Sequence, residues 1–195
     1  YCDGDMKLGN SNFHCWKSHG HGWVDGFNAL MQSCDVYFYE IALLTGIDHI
    51  GEMAQRFGFG DISGIDLPNE KGGLLPSRKW KKKALNASWH KGETLLSGIG
   101  QGYLLATPLQ LAIMAARIAN GGYAVSPRLA QPSKTLSPNL NDFSPSPKSS
   151  NEPLDLPERS LGIAPSHLKL VLDAMEGVTT NPMGTAFKTR INKLG

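Results

Sequence analysis

The stretch "MQSCDVYFYE", residues 31–40, sets a cysteine between a serine and an aspartate in a chain that has three cysteines. Two backbone geometries are open to it, and they divide the side chains differently. In an unbroken helix, side chains two apart point about 200° from each other around the axis, so Ser33 and Asp35 could not serve one site. In an extended joint, alternate residues share a face. Ser33 and Asp35 then turn one way and Cys34 the other. We expect the second geometry, which offers a hydroxyl and a carboxylate to a cleft and a thiolate to whatever lies behind. Apolar residues at helical spacing flank the triplet, with Phe27, Leu30 and Met31 before it and Phe38, Ile41 and Ala42 after it.

The cysteines, Cys2, Cys15 and Cys34, are confined to the start of the chain, and their odd number argues against a closed disulfide set. With His21 they read as Cys2, twelve residues, Cys15, five residues, His21, twelve residues, Cys34. Three thiolates and one imidazole make a tetrahedral zinc shell with no open position, a structural site. Such a site would staple residues 1–24, which are rich in Gly and His and lack periodicity, onto the helical body. His14 and His19 rival His21 as the fourth ligand. Three reduced, buried cysteines among surface histidines are the metal-free alternative.

A length of 195 residues suits one domain with a sizeable core. The composition is ordinary and the net charge of +2 points to no nucleic acid or other polyionic partner. No run reaches the roughly eighteen apolar residues of a membrane span, and no signal peptide is present. Because the chain starts at Tyr1, we read it as an internal piece of a longer protein.

Further along, Asp48 is expected to cap a short helix that ends at "RFGFG". Residues 60–92 are turn-rich and should wrap the surface, pinned by Trp80 and Trp89. The basic run from Arg78 to Lys83 is read as a solvated face. "ATPLQLAIMAARIANGG", residues 106–122, carries a full set of helix signals: Thr107 as cap, Pro108 at the first position, Gln110 completing a capping box and Gly121 as the stop. "YAVSP" at 123–127 is the best strand candidate. Residues 131–160, dense in Pro, Ser and Asn, read as a flexible insertion. A last helix is expected from about His167 to Glu176, burying Leu168, Leu172 and Met175 and stopping at Gly177. The glycines of "GIGQG", residues 98–102, do not follow the spacing of a dinucleotide loop.

Four stretches carry a family resemblance: "HGHGWVDGFNALMQSCDVYFYEIALLTGID", "FGFGDISGIDLPNEKGGLLP", "WHKGETLLSGIGQGYLLATPLQLAIMAARIANGG" and "GVTTNPMGTA". Together they resemble the transpeptidase domain of class B penicillin-binding proteins, above all the rod-elongation type, over nearly the whole chain except the insertion. The resemblance implies an α/β (α+β) fold with a mostly antiparallel sheet flanked by helices, of which this chain supplies mainly the helical lobe. The expected organisation is a metal-stapled segment at 1–24, a helical core at 25–130, the insertion at 131–160, and a helix at 161–195 leading toward a further strand.

The implied activity is D,D-transpeptidation of peptidoglycan stem peptides through an acyl-enzyme, with β-lactams as mimics. Three motifs share that work: Ser-x-x-Lys, Ser-x-Asn and Lys-Thr-Gly. By the resemblance, Ser33 is the second-motif serine, which relays a proton or hydrogen-bonds the nucleophile's lysine. Asp35 stands where the motif has Asn, to orient that lysine or the substrate amide. Some members also carry metal ligands at the positions of Cys2, Cys15, His21 and Cys34. Implied partners are rod-elongation membrane proteins, and the implied location is the periplasmic face of the bacterial inner membrane, with an anchor elsewhere in the parent protein.

The nucleophile motif is expected before Tyr1 and Lys-Thr-Gly after Gly195, so this chain alone should be inactive. A formal Ser-x-x-Lys at Ser166–Lys169 sits where a helix cap fits better. "FKTR" at 187–190 has arginine where the motif needs glycine. A non-catalytic, zinc-stapled interaction module from a split or decayed gene is the competing reading.

Overall fold

The structure, a computed structural model, describes residues 1–129 and 160–190. The expected insertion falls almost wholly outside these residues.

The leader is more regular than its composition suggests. Strand β1 (Asp5–Leu8) pairs antiparallel with β2 (Ser11–His14) across a two-residue Gly9-Asn10 turn, a short hairpin signal that the weak alternation of these strands obscures. Helix α1 (Gly26–Met31) starts at Asp25, whose carboxylate accepts the Asn28 N–H at 2.8 Å. Helix α2 (Asp35–Thr45) follows across the Ser-Cys-Asp joint. Its neighbour α3 (Ile47–Arg56) is preceded by Gly46, not capped by Asp48 as expected. Asp48 lies one residue inside, in the first turn, where its charge suits the positive helix end and meets Arg78 at 3.4 Å.

Residues 60–92 do wrap the body, but they also contain helices that composition hid. Helix α4 (Arg78–Leu85) is capped by Ser77, whose Oγ accepts the Trp80 N–H at 3.0 Å. Helix α5 (Lys91–Gly98) starts at His90, with the Glu93 carboxylate accepting the His90 N–H at 2.7 Å. The aromatic residues pin the segment as expected. Trp80 and Trp89 lie 5.2 Å and 6.5 Å from the Tyr103 ring, and the Trp89 indole donates to Thr94 Oγ1 at 2.8 Å.

The basic run is only partly solvated. Lys81 is buried beneath those rings and forms an ion pair with Glu93. Burial alone would push Glu93 up, but the Lys81 ammonium and the His90 N–H hold its carboxyl below the usual range. This pair clamps α4 to α5. Removing one partner leaves the other with little access to water, so Lys81→Ala should cost about 3 kcal/mol of domain stability. Lys81→Met combined with Glu93→Leu should recover only part of it, because the cap on the His90 N–H is lost as well. Urea unfolding of the folded domain measures both. Because the carboxyl is depressed in the folded state, the clamp's stabilisation is present above the ordinary value of 4.5 and fades as pH falls below it.

Helix α6 (Pro108–Ala119) forms as its signals require, with the reciprocal Thr107–Gln110 box at 3.2 and 3.0 Å and a cap at Asn120 before Gly121. Gln110 does more than cap. It is fully buried, and its amide donates to the carbonyls of Asp61 and Gly72, both at 2.8 Å, which ties the wrapping loop down.

Helix α7 (Pro165–Thr180) is longer than expected. Leu168 is buried, but Leu172 and Met175 are exposed, and Gly177 does not stop the helix. Gly177 faces α1: a Cβ there would lie 3.0 Å from Met31 Sδ and 3.4 Å from the Phe27 ring, so its lack of side chain lets the two helices approach. "YAVSP" makes a single antiparallel bridge, Tyr123 to Ser160, and no strand.

Packing is dominated by α2 on α5 and α1 on α7. One core cluster joins Ala29, Val36, Tyr39 and Leu95 to the three cysteines, with Phe13 of the hairpin against it. The described residues are therefore mostly helical with one two-stranded antiparallel sheet, the helical lobe that was expected. None of their helices is long and apolar enough to cross a membrane.

Candidate metal centre and the Ser33 joint

The joint between α1 and α2 is neither helical nor simply extended. Gln32 closes α1, Ser33 takes a left-handed conformation at φ 55, and Cys34 is extended at φ −77, ψ 101, with Asp35 the first residue of α2. A left-handed serine costs about 1–2 kcal/mol. The cost is met by hydrogen bonds that lock the turn, from Cys34 N–H to Ala29 O at 2.8 Å and from Ser33 N–H to Leu30 O at 3.3 Å.

The separation of serine from cysteine holds. Cys34 is fully buried in the core cluster, whereas Ser33 is exposed, its Oγ 3.5 Å from Thr185 Oγ1. Thr185 belongs to the "MGTA" stretch, and its N–H reaches Met31 O at 3.4 Å, so sequence ends 152 residues apart meet at this joint. The Asp35 carboxylate accepts the Trp16 backbone N–H at 2.9 Å, so one of its oxygens is engaged by the leader.

Behind the joint, one ligand atom from each of Cys2, Cys15, His21 and Cys34 lies within 4.8 Å of the others. Of the three rival histidines, His21 is the one in this cluster. Its Nδ1 lies 3.6 Å from Cys2 Sγ and 3.5 Å from Cys15 Sγ. Tetrahedral Zn–S and Zn–N bonds imply an S···N edge of about 3.6 Å, so donor identity and spacing both fit. The backbone brings them together: Cys2 and Gly22 exchange hydrogen bonds at 2.8 and 2.9 Å, and Cys15 N–H donates to Gly4 O at 2.8 Å. Gly20, at φ 74, packs where a Cβ would overlap the Cys2 carbonyl.

None of the three cysteines is paired in a disulfide. Burial pushes the Cys34 thiol up to about 12, with the neighbouring Cys2 adding to the effect. Burial, with the nearby Lys17 charge, lowers His21, favouring the neutral imidazole that a metal needs. A divalent cation would have to displace thiol protons here, and metal binding and folding are coupled in such sites.

The serine–lysine pairs are elsewhere and differently built. Ser166 is the second residue of α7, whose cap position is Ala164, so the expected capping role is not realised. Lys169 pairs with Asp173 at 2.6 Å on an exposed face. A second formal Ser-x-x-Lys is Ser88–Lys91. It straddles the cap residue His90, leaving its serine outside the helix that its lysine begins. "FKTR" includes a 3-10 turn at Phe187–Thr189, not an edge strand.

Comparison with known proteins agrees with this geometry. The family described as penicillin binding protein transpeptidase domain matches residues 1–193. The chain is 37% identical over 177 residues to the peptidoglycan D,D-transpeptidase MrdA of Salmonella typhimurium, covering 91% of this chain and 27% of that protein. The Escherichia coli K12 protein of the same name is 36% identical over 174 residues, covering 89% and 26%. This chain thus spans about a quarter of the length of those relatives.

Among solved structures, PBP2 of Helicobacter pylori in its complex with MreC superposes with a TM-score of 0.82 at 30% identity, over 99% of this chain and 33% of that one. Pseudomonas aeruginosa PBP2 in complex with WCK 5153 gives 0.77 at 36% identity, over 96% and 40%. The chain belongs to the penicillin-binding protein transpeptidase domain family, in its PBP2 (MrdA) branch.

Proposed function

We propose that this chain is the helical lobe of a peptidoglycan D,D-transpeptidase that cross-links stem peptides through an acyl-enzyme and is acylated by β-lactams. The reading is carried by Ser33, an exposed hydroxyl held in a strained joint beside Thr185, in a chain matched by the transpeptidase family along almost its whole length. Ser33 hydrogen-bonds the nucleophile's lysine or relays its proton, and Asp35 fixes the joint from the α2 side. The nucleophile motif and Lys-Thr-Gly come from sequence outside this chain, so the chain alone does not turn over. Catalysis faces the periplasm in the complete, membrane-anchored protein. A rod-complex partner is proposed from the relative solved with MreC.

Cys2, Cys15, His21 and Cys34 are proposed to hold one structural zinc. With four protein ligands the shell is closed, so the metal orders the leader against α1 and α2 and takes no part in acyl transfer. The competing reading, a non-catalytic interaction module, gains nothing from relatives named as transpeptidases. The complete protein should become covalently labelled by a fluorescent penicillin, and unlabelled excess penicillin should block the label. A complete, folded protein that takes no label would refute the proposal.

A further inference from the structure

Trp16 stands between the two halves of the site, and neither half accounts for it. It follows Cys15 directly, and its ring meets His21 edge-on at 5.5 Å. Its backbone N–H donates to the Asp35 carboxylate at 2.9 Å, and its indole N–H donates to the Gln32 carbonyl at 3.0 Å. Gln32 and Asp35 bracket Ser33 and Cys34, so one residue grips both ends of the left-handed joint. Trp16 is 60% exposed, so it contributes little by burial. What distinguishes it is the N–H, which satisfies a carbonyl left without a helical partner at the end of α1.

We propose that Trp16 is a positioning residue for Ser33, carrying the geometry of the Cys/His cluster to the hydroxyl through its bonds to Gln32 and Asp35. The proposal rests on the reading of Ser33 as the second-motif serine. A hydroxyl displaced by a fraction of an ångström from a partner lysine loses rate without losing ligand affinity.

The test uses the complete protein and a fluorescent penicillin. Trp16→Phe keeps a ring against His21 and removes the indole donor. We expect its limiting acylation rate to fall about tenfold, with the half-saturating penicillin concentration, zinc content and melting midpoint unchanged. Trp16→Ala should fall further, and Trp16→Phe combined with Ser33→Ala should be no slower than Ser33→Ala alone. Acylation at the parent rate by both Trp16 variants would overturn the proposal while leaving Ser33's role intact. So would a loss of rate that merely tracks loss of zinc or of folded protein, or full additivity in the double variant. Parent-like acylation by Ser33→Ala would instead sink the underlying reading, and the positioning role with it.

Discussion

Replacing Ser33 with alanine in the complete protein should slow acylation by a fluorescent penicillin by about a hundredfold or more. The size of the effect follows from where the hydroxyl sits. Ser33 is held at φ 55 by backbone bonds on both sides, a conformation that alanine can share, so the joint and the fold should survive the change. What disappears is the oxygen proposed to meet the nucleophile's lysine. Thr185 Oγ1, 3.5 Å away, hangs from a different segment and cannot take over the same hydrogen bond without moving. Ser166→Ala is the matched control. Its serine starts an exposed stretch of α7, beside a lysine already paired with Asp173, and its acylation rate should match the parent's. Time courses of label incorporation read both variants.

The second large effect concerns the cluster behind the joint. Elemental analysis should find one zinc per chain, and Cys15→Ser should lower zinc affinity by more than about a hundredfold, beyond what outer-sphere changes produce. Cys15 belongs to the buried core cluster as well as to the ligand set, so its loss costs packing and metal together. The thermal midpoint of the variant should fall, since metal binding to such a shell is itself folding free energy. Stripping zinc from the parent protein should reproduce the metal's share of that fall. Parent protein without zinc, or Cys15→Ser that retains it at full affinity, would remove the metal from this description.

Much of this was legible where a local rule is also the global one. The Thr107–Gln110 box reads directly as a helix start, because a cap needs only residues three apart. The four-ligand cluster was legible as a donor set with His21 in it, and the fold sets that histidine apart from its rivals His14 and His19. Other features depend on partners distant in sequence. Gly177 resembles a helix stop until α1 is seen packed against it, and Lys81 resembles one more surface lysine until Glu93 and the aromatic residues enclose it. Helix α5 is short, carries a glycine at its second position and begins after a histidine, so propensity gave little warning of it. The joint at Ser33 mixes both cases. Its break from helix was foreseeable, but the left-handed serine and the capture of Asp35 by Trp16 are tertiary.

If Cys34 gives its sulfur to an ion and Ser33 its hydroxyl to the acylation site, as proposed, the two functions are mechanically dependent. The direct test is to strip the complete protein of metal, return zinc in steps, and follow the penicillin acylation rate against zinc bound. The rate should climb with occupancy and level off at one zinc per chain. A rate that stays constant from zero to full occupancy would contradict the account.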